Sequence, residues 1–259
     1  MLGKLIKYDL KKISKTVFIY FIVMLIFSII TRIMGNFTET FIGKLFYGIL
    51  RGCAISCFVG ILINAAMGIW GRFRHNIYKD ESYLTHTLPV EKSTIYNAKE
   101  ISAIIVVLCT VILIVLCAGI VFLNKDTIEF IKNLFKDKDT TFIVIGFIIT
   151  AIFELLYAIQ CGIVGLLIGH QSNNKKVLRS IVIGIILYDM VQTLLLVLIY
   201  VVGMFSPDVK VLFSTNPDLN NIPAGMKELM IISNCMYFIF IAGLYIAGKK
   251  IINKGVNVE

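Results

Sequence analysis

The chain has 259 residues, of which 58% are hydrophobic and 16% charged, with four prolines and a formal charge of +9. Its mean hydropathy of +0.87 is more apolar than a water-soluble domain can carry on its surface, so the composition excludes a soluble globular class. A charge of +9 on a soluble chain would point to nucleic acid; in a membrane protein it asks which side of the bilayer holds the lysines, and no nucleic-acid partner is expected.

Residues 2–15, LGKLIKYDLKKISK, place Leu2, Leu5, Ile6, Leu10 and Ile13 on one helical face and Lys4, Lys7, Lys11, Lys12 and Lys15 on the remainder. Two readings fit: an N-terminal amphipathic interfacial helix in the headgroup plane, or a basic flank to the first span. The apolar run that follows has no small-residue cleavage site and reads as retained.

Six apolar runs are long enough to cross about 30 Å of hydrocarbon at about 1.5 Å per residue, near 16–34, 48–70, 101–123, 142–168, 181–205 and 229–248. They are continuous rather than alternating, which rules out strands of a closed barrel as the spanning units. The expected fold is an all-α polytopic membrane protein of six transmembrane helices, forming a single domain over residues 1–259. The spans divide as three plus three, without a residue-level echo between the halves.

Sixteen of the 25 Lys and Arg lie at the N-terminus, in the 71–100 connector, in the 169–180 loop and in the C-terminal tail. The nine on the other side are nearly cancelled by eight acids. This bias predicts a multi-pass protein of the cell membrane with both termini cytoplasmic. On the external side, residues 124–141 fit a surface helix with Ile128, Ile131, Leu134 and Phe135 on one face, and 206–228 holds three of the four prolines. All six cysteines, Cys53, Cys57, Cys109, Cys117, Cys161 and Cys235, fall in apolar runs and read as buried thiols rather than a disulfide framework or a metal site.

The chain carries no phosphate-binding G-x-x-x-x-G-K-S/T stretch, no nucleophilic triad pattern and no H-E-x-x-H, so neither catalytic nor metal-binding residues are assigned and enzyme function is not expected. Two acids stand inside apolar spans, Glu154 in the fourth and Asp189 in the fifth, about 12 Å above the inner edge on both counts. They either line a substrate or ion path with Gln160 and Gln192, or sit hydrogen-bonded in the bundle interior against Gln160, Gln192, Tyr157 or Tyr188. Gly162, Gly165 and Gly169 in the fourth span permit close approach of another helix.

The polar connector from Arg72 to Asn97 separates spans two and three. Pro89 enforces a break, and Ser93 is placed to cap a helix that continues into span three. The expected shape is a short helix across the cytoplasmic face, with Tyr83, Leu84 and Leu88 offered to a partner's groove and Asp80, Glu81, Glu91 and Lys92 setting orientation.

The stretch RFRHNIYKDESYLTHTLPVEKSTIYNAKEISAI resembles the segment between spans two and three of bacterial ABC transporter permeases of the type-2 exporter class, particularly the low-GC Gram-positive branch, whose members carry D-E-x-Y-L-T-x-T-L-P-V. Here those positions are Asp80, Glu81, Tyr83, Leu84, Thr85, Thr87, Leu88, Pro89 and Val90. The resemblance implies a membrane subunit that pairs with a second copy or a sister permease and is driven by two copies of a separate ATP-binding subunit, which holds ATP and magnesium. It also implies that the connector is the coupling helix seated in that ATPase. The implied substrates run from antimicrobial peptides and drugs to other amphipathic molecules. No re-entrant helical hairpin of the kind some members place before the last span is visible in 206–228. The alternative is a substrate-binding membrane component or sensor with no translocation path of its own.

Overall fold

The computed structural model describes residues 1–79, 81–87, 89–172, 174–213 and 222–255. Among them there is no strand, and six helices are long and apolar enough to cross a bilayer. The elements are α1 (Leu2–Met34), α2 (Phe41–Ile77), α3 (Ser82–Thr87), α4 (Lys92–Phe122), α5 (Lys125–Leu134), α6 (Lys138–Gly169), α7 (Lys176–Phe205), α8 (Pro207–Val211) and α9 (Ile222–Lys254).

The described helices pack as two compact units, one within residues 1–128 and one within residues 129–255. In the first, α1 packs along both α2 and α4, which touch each other less. In the second, α6 packs along both α7 and α9, which barely meet, while α8 folds onto the start of α9. Each unit therefore has its own first span at the centre.

Several boundaries follow from local chemistry. Thr40 caps α2 by accepting from the Gly43 amide at 3.1 Å, and Asp137 caps α6 by accepting from the Thr140 amide at 3.1 Å. Ser206 caps α8, with Pro207 at the first helical position. That α6 bond, with a second from the Thr140 hydroxyl, holds the Asp137 carboxyl below the usual carboxylate range.

α1 runs without interruption from Leu2 to Met34, so residues 2–15 are the basic flank of the first span and form no separate interfacial helix. The reason is packing: Asp9 and Ile13 are buried and Leu5, Ile6 and Leu10 half-buried, so this face meets protein instead of headgroups. With 33, 37 and 31 residues, α1, α2 and α4 are about 46–56 Å long, well beyond the hydrocarbon thickness, and their surplus lies largely on the side of the N-terminus.

Deeper in the first unit, the Thr31 hydroxyl donates to the Phe27 carbonyl and lies 3.2 Å from the Leu50 carbonyl of α2. The Arg51 guanidinium sits 4.7 Å from the centre of the Phe122 ring.

In the second unit the glycines of α6 meet α7 directly. A Cβ on Gly165 would come within 2.7 Å of the Ser180 carbonyl oxygen, and one on Gly169 within 2.5 Å of the Ser180 Cα, so only glycine admits this approach. All six cysteines are free. Only Cys117 and Cys161 are buried; Cys109 and Cys235 are exposed on the helix surface. An apolar run in a membrane helix turns apolar residues outward as well as inward, as the many exposed Ile, Leu, Val and Phe side chains also show.

Candidate functional site

Two polar clusters stand out, one in each unit. The first lies where α1, α2 and α4 outrun their apolar runs. Asp9 of α1 is 2% exposed, and its Oδ1 accepts from three donors: Arg72 Nε at 3.1 Å, Asn76 Nδ2 at 3.3 Å and Lys99 Nζ at 2.7 Å. Arg72 and Asn76 are four apart on α2 and share a face; Lys99 comes from α4. Arg72 and Lys99 are themselves almost fully buried, a placement that charges tolerate only when paired.

Arg72 then reaches the connector. Its Nη1 lies 2.5 Å from Glu81 Oε2, and Lys12 of α1 holds Glu81 Oε1. The ring of Tyr8 lies against the Arg72 guanidinium at 4.9 Å. Burial raises the pKa of Glu81, but hydrogen bonds from Lys12 and Arg72, with their charges, outweigh it and hold the carboxyl below its usual range. The backbone closes the same corner: the amides of Tyr78 and Lys79 donate to the Arg74 carbonyl and that of Glu81 to the His75 carbonyl. Ser82 is 4% exposed.

The connector is thus a short helix, α3, clamped at its start to α1 and α2. Tyr83 projects from it, 76% exposed, with Thr87 and Pro89 exposed and Val90 half-buried. Asp80 and Leu88 lie outside the described residues, as do the side chains of Leu84 and Thr85. Glu81 does not point outward to orient a partner; its two cations turn it inward. Glu91 and Lys92 are exposed as expected. Ser93 is not the cap of α4: Glu91 holds that position, and the Ser93 hydroxyl donates to the Glu91 carboxylate at 3.1 Å.

The second cluster lies within the spans of the second unit. Tyr157 of α6 is fully buried; its hydroxyl donates to the Leu187 carbonyl of α7 at 2.6 Å. Its ring packs 5.9 Å from that of Tyr188, stacked, and 5.8 Å from that of Tyr237 on α9. The Tyr188 hydroxyl donates to Glu154 at 3.0 Å, and Gln192 bonds the Tyr237 hydroxyl at 3.2 Å. Gln160 is buried.

Of the four residues expected to line a path, Glu154 and Gln192 each have a tyrosine partner in this cluster, and Gln160 is buried on the same helix as Glu154. Asp189 does not join them. It is exposed on α7, one residue past Tyr188, and a step of one residue rotates a side chain about 100° around the helix, away from α6. Similar depth did not imply the same face.

Sequence reasoning missed the first cluster except for Glu81. Its signal was present: Asp9 is the one acid among the five lysines of residues 2–15, and Arg72 and Asn76 stand four apart just past an apolar run. Among the described residues no group of three His, Cys, Asp or Glu converges as a metal site.

Six apolar helices define the class as a multi-pass α-helical membrane protein. No family model matches the chain, and neither a curated protein nor a solved structure does.

Proposed function

We propose that this chain is the membrane-spanning permease subunit of an ATP-driven ABC exporter of the bacterial cell membrane, both termini cytoplasmic, coupled through its 80–90 connector to a separate ATP-binding subunit. The observation that carries the reading is the posture of α3. A six-residue helix offers an aromatic side chain at 76% exposure while its base is tied by Glu81 to α1 and α2 and, through Asp9, to α4. A partner pressing on Tyr83 pushes against all three spans of the first unit, as a coupling element must. The motif in which Tyr83 stands supports the same assignment. The chain offers no phosphate-binding motif, so the partner supplies ATP and magnesium, in two copies, and a second copy or sister of this chain completes the path for a peptide, drug or other amphipathic cargo.

Affinity purification of the full chain from its native host is expected to bring down an ATP-binding subunit in stoichiometric amount. Tyr83→Asp is expected to lose that subunit while inserting and folding normally, because the side chain touches little of its own chain. A preparation free of any ATPase, or a Tyr83→Asp protein that still retains one, overturns the proposal.

A further inference from the structure

Among described helices of eight or more residues, α5 alone buries no side chain. It has ten residues, and a helix that short is marginal in water without a packed face. Its composition sorts with one exception, Thr127, which falls inside the apolar arc. At about 100° per residue, Phe130, Leu134, Ile131, the following Phe135 and Ile128 fill one arc of about 160°. Asp126, Asn133, Glu129, Lys136, Lys125 and Lys132 fill the opposite arc of about 120°.

The described residues leave much of the apolar arc open: Ile128 and Ile131 are each 39% exposed, Phe135 50% and Phe130 61%, with Leu134 half-buried. Two residues, Leu123 and Asn124, separate α5 from the end of α4, and three separate it from the start of α6, so extended chain holds it within about 10 Å of two span ends. The first tether is fixed further, since Asn124 accepts from Arg32 at the end of α1 and its carbonyl accepts the Ile128 amide at 2.9 Å.

We propose that α5 lies in the headgroup and acyl boundary of the membrane face opposite the two termini, with Ile128, Ile131, Leu134 and Phe135 in the acyl region and Lys125, Lys132 and Lys136 extended to lipid phosphates. The occupant of the apolar arc is lipid because two spans bring the helix to that plane and leave it no room to leave. Lysines at the margin of the arc suit a surface of phosphates. This inference is independent of what the chain transports.

The test uses the full-length protein in vesicles of phosphatidylethanolamine and phosphatidylglycerol. Trp70 is the only tryptophan, so a Trp70→Phe background carrying Phe135→Trp, Ile131→Trp or Asn133→Trp reports one position at a time. Phospholipids brominated in the upper acyl chain are expected to quench positions 131 and 135 at least about twofold more than position 133, and aqueous acrylamide to show the reverse order. Phe135→Trp keeps an aromatic side chain at an exposed site, so it remains informative where Ile131→Trp misfolds. Equal quenching on both faces overturns the proposal. So does shielding of 131 and 135 from both quenchers, which would mean that protein covers the arc.

Discussion

Replacing Asp9 by Asn tests the buried cluster with the smallest change of shape. The substitution keeps one oxygen to accept hydrogen bonds but removes the charge that balances Arg72 and Lys99, whose side chains are 6% and 7% exposed. Breaking a buried ion pair from one side costs about 3–5 kcal/mol, because the partner charge is left desolvated. For a chain of this size each kcal/mol moves the midpoint of thermal unfolding by about 2–4 °C, so a fall on the order of 10 °C is expected. The control is Asp139→Asn, which breaks the Lys227 pair; those side chains are 58% and 28% exposed, and such pairs contribute about 0–1 kcal/mol. The assay is the fraction of monodisperse protein in detergent after heating, with both variants beside the parent. Exchanging Asp9, Arg72 and Lys99 together for apolar residues of similar volume should recover much of the loss. If Asp9→Asn melts no lower than Asp139→Asn, the cluster does not hold the first unit together.

Three further outcomes follow from the same geometry. Because the folded Glu81 carboxyl is held below its ordinary pKa, its contribution is full above the unfolded value and is lost as pH falls through the lower folded one. Amide protection in 79–87, measured relative to the intrinsic exchange rate at each pH, should therefore stay constant near neutrality and fall under acid, and Glu81→Gln should be weakly protected throughout; an acid-insensitive parent would refute the tether. Gly169→Ala places a methyl within 2.5 Å of the Ser180 backbone and should cost about 1–3 kcal/mol, whereas Gly243→Ala, with nothing within 4 Å, should not lower the melting midpoint. Asp189→Asn should change stability by no more than about 0.5 kcal/mol, and a large loss would place that side chain in an interior it does not reach.

The six spans and their helical state were legible because a bilayer imposes one rule on every residue of a crossing, and runs such as 142–168 obey it without interruption. The connector was legible as a short helix between two spans for similar local reasons. What escaped was direction around an axis. Glu81 and Tyr83 are two residues apart in one motif, yet one is drawn inward by Lys12 and Arg72 and the other stands free of the fold. The partners that decide this come from residues 12 and 72, and hydropathy fixes no rotation between helices apolar on every side. The same loss explains Asp189, whose depth was readable and whose face was not.

Both polar clusters are built on the helix at the centre of their unit, and the reason is geometric. Asp9 stands on α1 and draws donors from α2 and α4; Tyr157 stands on α6 and meets α7 and α9. Only a helix with a neighbour on each side can give one buried polar group partners from both, and a polar group without partners is what low-dielectric surroundings penalise most. A peripheral helix in the same unit has one protein face and one lipid face, so its polar groups must reach the centre, as Tyr188 does to Glu154, or face outward. Tyr157→Phe removes one such bond while leaving both ring contacts, and should cost about 0.6–1.7 kcal/mol, the range for side-chain bonds inside membrane proteins. Tyr157→Ala also empties the space between Tyr188 and Tyr237 and should cost about 3–5 kcal/mol. Equal losses in the two variants would assign the cluster to its hydroxyl; a near-silent Phe variant beside a severe Ala variant would assign it to the rings, and with them to packing of α6 against both neighbours.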